Sequence, residues 1–129
     1  MRETLLIIED NEQNFYMMRF LLEKSGFQVI GAENGKEGIA KALLVKPQAI
    51  LLDIQLPEMD GYTVASELKK HDELKRVPII AVTSYAMVGD RERVLAAGAT
   101  GYIEKPIDPE TFVSEIARYL PESQSDQEG

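Results

Sequence analysis

The sequence predicts a single α/β domain, built on a five-stranded parallel sheet with helices on both faces. Five short apolar runs alternate along the chain with segments of helical length and period, and this alternation is typical of parallel sheets. The runs are apolar throughout rather than at every second position, which indicates a doubly wound sheet covered on both faces. A chain of 129 residues also has the length of one domain.

The predicted strands are these five apolar runs, which begin at Leu5, Phe27, Ala49, Ile79 and Gly101. Four helices are indicated by apolar residues at helical offsets. These residues are Phe15, Met18, Leu21 and Leu22; Ile39 and Leu43; Val64, Ala65 and Leu68; and Val94, Leu95 and Ala97.

The fifth helix has the clearest predicted start. Asp108 can cap its first turn and Pro109 suits the position after the cap. Residues 121–129 contain three acids, no bases and no large apolar side chain. We therefore expect a folded domain over residues 1–120, followed by a disordered acidic tail over residues 121–129.

Composition excludes several classes of function. The chain has 22 acidic and 14 basic residues and a net charge of −8, which argues against binding to nucleic acid or to an anionic membrane. It has no cysteine and one histidine, so disulfides, thiolate nucleophiles and two-histidine metal sites are ruled out. The apolar runs are too short to span a bilayer, and the N-terminus lacks the pattern of a signal peptide. We expect a cytoplasmic protein.

Polar residues follow four of the five predicted strands. Glu9 and Asp10 follow the first strand, Asp53 the third, Thr83 the fourth and Lys105 the fifth. The carboxyl ends of parallel strands form one edge of the sheet, where binding sites are built. Taken singly, Glu9 and Asp10 are explained by helix capping, and Lys105 by an ordinary surface charge. Three acids, a hydroxyl and a lysine at one edge of the sheet indicate a functional site more specifically than any of these residues alone.

Three carboxylates at one point repel each other unless a cation joins them, and oxygen ligands suit Mg²⁺. A divalent cation, a lysine and a hydroxyl together are the groups that phosphoryl transfer requires. An aspartate can be the covalent acceptor. The sequence has no glycine-rich phosphate loop, so nucleotide hydrolysis is not expected.

Four stretches, residues 7–12, 51–61, 81–84 and 102–106, carry a family resemblance. In them the sequence resembles the receiver domain of bacterial two-component response regulators, and the resemblance covers about residues 4–120. The intervals of 30 residues from Asp53 to Thr83 and of 52 residues from Asp53 to Lys105 are usual in that family. The resemblance implies a flavodoxin-like (βα)5 fold with strand order 2-1-3-4-5.

The resemblance also implies roles at the site. Asp53 would be the phosphoacceptor. Mg²⁺ would be held by the side chains of Asp10 and Asp53, by Glu9 directly or through water, and by the backbone carbonyl of Gln55. Lys105 would contact a phosphoryl oxygen as a point charge.

By the same resemblance, further residues would respond to phosphorylation and set the lifetime of the phosphorylated state. Thr83 would bond another phosphoryl oxygen, and Tyr102 would change rotamer with the state of Thr83. The Lys105–Pro106 bond would be cis. Gln55 and Tyr85 would flank the path of the hydrolytic water. We expect the ring of Tyr85 to cover the phosphoryl group and lengthen its lifetime, although a surface position without effect is the alternative.

We interpret the chain as a stand-alone receiver, because no effector domain follows the fifth helix. A histidine kinase or phosphotransfer protein would phosphorylate Asp53, and the fourth helix, fifth strand and fifth helix would then control a partner protein. The domain would promote only its own phosphorylation and dephosphorylation, without acting as an enzyme on other substrates.

Two alternatives remain open. One is a receiver excised from a hybrid sensor kinase, since residues 86–91 have a form seen in both settings. The other is an interaction module on the same fold that is never phosphorylated. A phosphatase with an aspartyl-phosphate intermediate is disfavoured, because no segment is long enough to form a substrate cap.

Overall fold

One parallel sheet flanked by helices forms the molecule. The structure, a computed structural model, describes residues 3–56, 58–83 and 90–120. Within these ranges the strands are β1 (Thr4–Ile8), β2 (Gln28–Ala32), β3 (Ala49–Asp53), β4 (Ile79–Thr83) and β5 (Gly101–Glu104). The helices are α1 (Glu12–Lys24), α2 (Gly35–Val45), α3 (Gly61–Lys69), α4 (Asp90–Ala96) and α5 (Phe112–Ala117), with a short 3-10 helix at Asp72–Leu74.

The strand order is β2-β1-β3-β4-β5 and every pair is parallel. The predicted fold class and strand order are therefore confirmed. The register brings the carboxyl ends of the central strands level, since Ile8 pairs with Leu52 and Asp53 pairs with Val82. Whatever follows these strands consequently lies at a single edge of the sheet.

The strands send alternate side chains into two cores, one on each face of the sheet. One core lies under α1 and α5 and includes Leu5, Ile7, Met18, Leu22, Leu51, Val82, Phe112 and Ile116. The other lies under α2, α3 and α4 and includes Leu6, Ile8, Ala42, Leu52, Val64, Leu68, Ala81 and Val94. Burial on both faces explains why the central strands β1, β3 and β4 are apolar over most of their length.

Side-chain caps begin three of the helices. The side-chain oxygens of Asn11, Asn34 and Asp60 each accept a hydrogen bond from the backbone N–H three residues later, at 2.8–2.9 Å. Such caps satisfy donors that a helix start would otherwise leave unpaired. The caps at Asn11 and Asp60 begin α1 and α3 close after β1 and β3, on the edge that carries the candidate site.

The predicted start of α5 is wrong by about one turn. The Asp108 side chain accepts a bond from Glu110 N–H, and its carbonyl accepts bonds from the N–H groups of Thr111 and Phe112. Asp108 thus closes a turn of its own, and the helix begins only at Phe112. Asp108 does accept backbone hydrogen bonds as a capping residue would, but it does so in the turn that precedes the helix.

The predicted apolar stripe of α4 is only partly buried. Val94 is fully buried, whereas Leu95 is 39% exposed. The side chains of consecutive helical residues point about 100° apart, and α4 turns Val94 rather than Leu95 into the core. The longest described helix, α1, has 13 residues, and no described helix has the length and apolar character needed to cross a bilayer.

The predicted tail, residues 121–129, lies outside the described residues.

Candidate functional site

Three carboxylates meet at the carboxyl edge of the sheet, as the sequence predicts. Glu9 and Asp10 follow β1, and Asp53 is the last residue of β3. Each offers a carboxylate oxygen, and these oxygens all lie within 4.8 Å of one another. Glu9 and Asp53 are 3% and 4% exposed, while Asp10 is open to solvent. The inner part of the cluster, Glu9 and Asp53, is therefore buried, and its outer rim, Asp10, is accessible to solvent.

Lys105 joins this cluster from the end of β5. Its Nζ lies 3.0 Å from Glu9 Oε1 and 3.5 Å from Asp53 Oδ2. The peptide bond between Lys105 and Pro106 is cis. One ammonium therefore faces two buried carboxylates, so part of their charge remains uncompensated.

Glu9 shows the electrostatic cost of this arrangement. Burial, followed by the neighbouring Asp53, raises the pKa of the Glu9 carboxyl to about 7, while Lys105 opposes the rise. Glu9 Oε2 accepts a hydrogen bond from Asn11 N–H at 3.2 Å. Within the described part of the chain, Oε1 is buried without a hydrogen bond, and its approach to Lys105 is an ion pair only.

These residues fit a small divalent cation. Mg²⁺ prefers oxygen ligands and is usually held by one or two carboxylates together with water, and this cluster can supply the carboxylates. The buried Glu9 Oε1, which lacks a hydrogen bond among the described residues, is an oxygen that a cation would satisfy. The accessible Asp10 leaves the rim open for water ligands.

The segment after β3 is tied to the Asp53 carboxylate. Gln55 N–H donates to Asp53 Oδ1 at 2.9 Å, and Ile54 N–H donates to the carbonyl of Val82 on β4 at 3.2 Å. Gly61 N–H in turn donates to the Ile54 carbonyl at 2.9 Å. A Cβ on Gly61 would stand 2.5 Å from the Ile54 Cα, so only glycine permits this close approach.

Thr83 ends β4, and Tyr102 lies on the neighbouring strand β5. Thr83 is 3% exposed at the end of β4, and its carbonyl accepts a bond from Lys105 N–H at 2.8 Å. Tyr102 is half-buried and packs against the core beneath α2, α3 and α4. Tyr85 lies outside the described residues.

Sequence reasoning missed a cleft of about 270 Å³ beside the carboxylates. Its lining includes Glu9, Asp10, Phe15 and Lys41. Lys41 Nζ donates to the Gly31 carbonyl at 2.6 Å and pairs with Glu37 at 2.9 Å. The i, i+4 spacing of the acid and the lysine on α2 was the available signal. Glu9 and Asp10 form part of the wall of this cleft.

Comparison with known proteins agrees with this geometry. Residues 5–117 match the family model of the response regulator receiver domain. The polar-differentiation response regulator DivK of Brucella anthropi is 45% identical over 120 residues, which are 93% of this chain and 98% of that protein.

Two solved structures extend the comparison. The chemotaxis protein CheY4 of Vibrio cholerae has a TM-score of 0.89 at 28% identity, covering 93% of this chain and all of that one. The receiver domain of sensor histidine kinase PA1611 from Pseudomonas aeruginosa, solved with a magnesium ion in its active-site cleft, has a TM-score of 0.85 at 33% identity, covering 92% and 98% of the two chains. The chain belongs to the receiver domain family of two-component response regulators.

Proposed function

We propose that this protein is a phosphorylation switch in which Asp53 accepts a phosphoryl group from a phosphohistidine. The observation that supports this most strongly is the position of Asp53, which ends the central strand β3 beside two further carboxylates and 3.5 Å from Lys105. An Asp53 oxygen attacks phosphorus, the bond from phosphorus to the histidine nitrogen breaks, and the imidazole keeps that electron pair.

We assign the Mg²⁺ site to the side chains of Asp10 and Asp53, to Glu9, and to the backbone carbonyl of Gln55. When bound, the ion neutralises charge on the transferring phosphoryl oxygens. The chain's own residues do the positioning. The hydrogen bond from Gln55 N–H orients Asp53, and the buried Glu9 carboxyl, whose pKa is about 7 without metal, would be held in its charged form by the ion.

Lys105 has a second role once the phosphoryl group arrives. Its ammonium is shared between Glu9 and Asp53 in this structure. Phosphorylation replaces the Asp53 carboxylate by a group with more negative charge, and a lysine ammonium is a mobile point charge that can move toward it. We assign Lys105 to a phosphoryl oxygen in that state.

Thr83 and Tyr102 are assigned to the switch. Thr83 presents a hydroxyl at the same edge as Asp53, and Tyr102 is on the neighbouring strand β5. A phosphoryl oxygen that binds Thr83 in only one of two pre-existing conformations shifts their populations.

The partners follow from this chemistry. A histidine kinase or a phosphotransfer protein in the cytoplasm supplies the phosphoryl group. A downstream protein reads the surface formed by α4, β5 and α5. The domain assists its own phosphorylation and dephosphorylation and transforms no other substrate.

Mass spectrometry after incubation with a small acyl phosphate and Mg²⁺ tests the proposal. We expect one added phosphoryl group on the wild type and none on Asp53→Asn. Asp60→Asn is the matched control, because Asp60 is an exposed acid on the loop after β3 and should leave labelling intact. Equal labelling of Asp53→Asn would refute the acceptor assignment, and an unlabelled wild type would favour an interaction module that is never phosphorylated.

A further inference from the structure

The outward face of α1 carries two large aromatic side chains that the site does not use. Tyr16 is 67% exposed and Phe20 is 63% exposed. Each is two residues from the buried Met18, which places it about 200° around the helix from that core residue. Both rings therefore point away from the protein. A pair of adjacent exposed aromatics is the kind of apolar patch that marks an interaction surface.

Opposite charges stand at the two ends of this patch. Glu12, Tyr16, Phe20 and Lys24 follow one another at intervals of four residues, and all four are exposed. Rows of side chains at this interval form the ridges by which helices pack. We call these four residues the α1 ridge. It begins with an acid, ends with a base and is aromatic in the middle.

This order makes the α1 ridge complementary to itself. A two-fold axis midway between Tyr16 and Phe20 would set a second copy of α1 antiparallel to the first. Glu12 then faces Lys24 of the second copy, and Tyr16 faces Phe20. The same contacts recur on the other side of the axis, as an isologous interface requires. In a parallel arrangement, Glu12 would face Glu12 and Lys24 would face Lys24.

The charges at the ends of the ridge are available for such pairing. Over residues 3–56, 58–83 and 90–120, no salt bridge includes Glu12 or Lys24. Lys24 Nζ lies 5.8 Å from the centre of the Phe20 ring, which holds its charge beside the aromatic pair. Arg19 and Glu23 are already paired with each other at 3.1 Å.

We propose that the α1 ridge is a self-association surface whose occupant is a second copy of this chain, bound antiparallel about a two-fold axis. A surface of one 13-residue helix is small beside stable protein interfaces. The net charge of −8 also opposes association. Together these predict a weak dimer, with a dissociation constant on the order of 100 μM at physiological ionic strength.

Sedimentation equilibrium of the full chain, at concentrations up to about 1 mM, tests the proposal. Glu12→Lys places like charges opposite each other at both ends of the dimer, and so does Lys24→Glu. Each variant alone should self-associate at least about tenfold more weakly than the wild type. An equimolar mixture of the two should associate about as strongly as the wild type, because opposite charges then face each other at both ends of the mixed dimer.

The mixture separates an interface from a folding defect, since mixing cannot repair a chain that has lost its helix. Lys36→Glu is the matched control, because it changes the net charge by the same amount as Lys24→Glu on exposed α2 surface. It should associate much as the wild type does. Tyr16→Ala together with Phe20→Ala should abolish association.

Three results would overturn the proposal. They are a wild type that stays monomeric at about 1 mM, charge variants that associate as the wild type does, and a mixture no stronger than its components.

Discussion

Lys105 is paired more closely with Glu9 than with Asp53. The Nζ atom is 3.0 Å from Glu9 Oε1 and 3.5 Å from Asp53 Oδ2. Two buried carboxylates therefore compete for one ammonium. This competition is consistent with the raised pKa of the Glu9 carboxyl.

The first prediction concerns the pH dependence of stability without metal. The pKa of Glu9 is about 7 in the folded protein against an ordinary value of 4.5. Between these values the folded state binds more protons than the unfolded state, so the free energy of unfolding falls as pH rises. The penalty is nearly complete by pH 8 and is on the order of 3 kcal/mol.

Denaturant unfolding in EDTA at pH 5 and pH 8 measures this effect. We expect Glu9→Gln to be more stable than the wild type at pH 8 and to differ little from it at pH 5. Added Mg²⁺ should reduce the pH dependence of the wild type, because the ion stabilises the charged form. Parallel pH profiles for the two proteins in EDTA would contradict the assignment.

The second prediction is that Asp10→Asn weakens Mg²⁺ binding. Replacing a charged oxygen ligand by a neutral amide removes about 1–3 kcal/mol of favourable interaction. Calorimetric titration should show a Mg²⁺ affinity lower by a factor of about 5 to 150. Glu73→Gln changes an exposed acid far along the chain and should bind Mg²⁺ as the wild type does. Equal affinities for Asp10→Asn and the wild type would exclude Asp10 as a ligand.

The third prediction concerns the close approach of Gly61 to the backbone of Asp53 and Ile54. A Cβ at this position would lie 2.5 Å from Ile54 Cα and 3.0 Å from the Asp53 carbonyl oxygen. Backbone cannot move aside as a side-chain tip can, so Gly61→Ala should lower the free energy of unfolding by about 1–3 kcal/mol. The same displacement should slow labelling of Asp53.

Ser66→Ala is the comparison for Gly61→Ala, because Ser66 is exposed on the same helix α3. We expect it to retain wild-type stability and labelling, within about 0.5 kcal/mol. If Gly61→Ala unfolds at the same denaturant concentration as Ser66→Ala, the close packing of α3 on β3 does not constrain the site.

The fourth prediction concerns the lifetime of the phosphorylated state. If the ring of Tyr85 covers the phosphoryl group, Tyr85→Ala should lose phosphate several times faster than the wild type, because water then reaches the in-line position. The rate is measured after removal of the phosphodonor. Tyr85→Phe keeps the ring and should keep the wild-type rate. A rate for Tyr85→Ala equal to or below that of the wild type would refute the shielding role.

The sequence by itself determined the fold class and the members of the site. Apolar runs alternating with amphipathic segments admit few architectures other than a covered parallel sheet, since both faces of each strand must be buried. In such a sheet the residues after the strands must share one edge. Glu9, Asp10, Asp53, Thr83 and Lys105 could thus be placed together from their positions in the chain alone.

The sequence did not determine every helix boundary or every buried position, because some local patterns are compatible with two structures. Asp108 caps a turn whether or not a helix follows at once, so the start of α5 at Phe112 depends on where that residue can enter the core. Leu95 has the apolar character of a core residue, but the placement of α4 leaves it at the surface.

Only the tertiary structure decided how the charges at the site are shared. The spacing of Glu9, Asp53 and Lys105 along the chain says nothing of whether the lysine meets one carboxylate or both. Lys105 Nζ lies 3.0 Å from the Glu9 carboxylate and 3.5 Å from the Asp53 carboxylate. These distances depend on the register of three strands and on the depth to which each side chain is buried. Electrostatic energies vary steeply with distance and burial, so the raised pKa of Glu9 follows from packing rather than from sequence order.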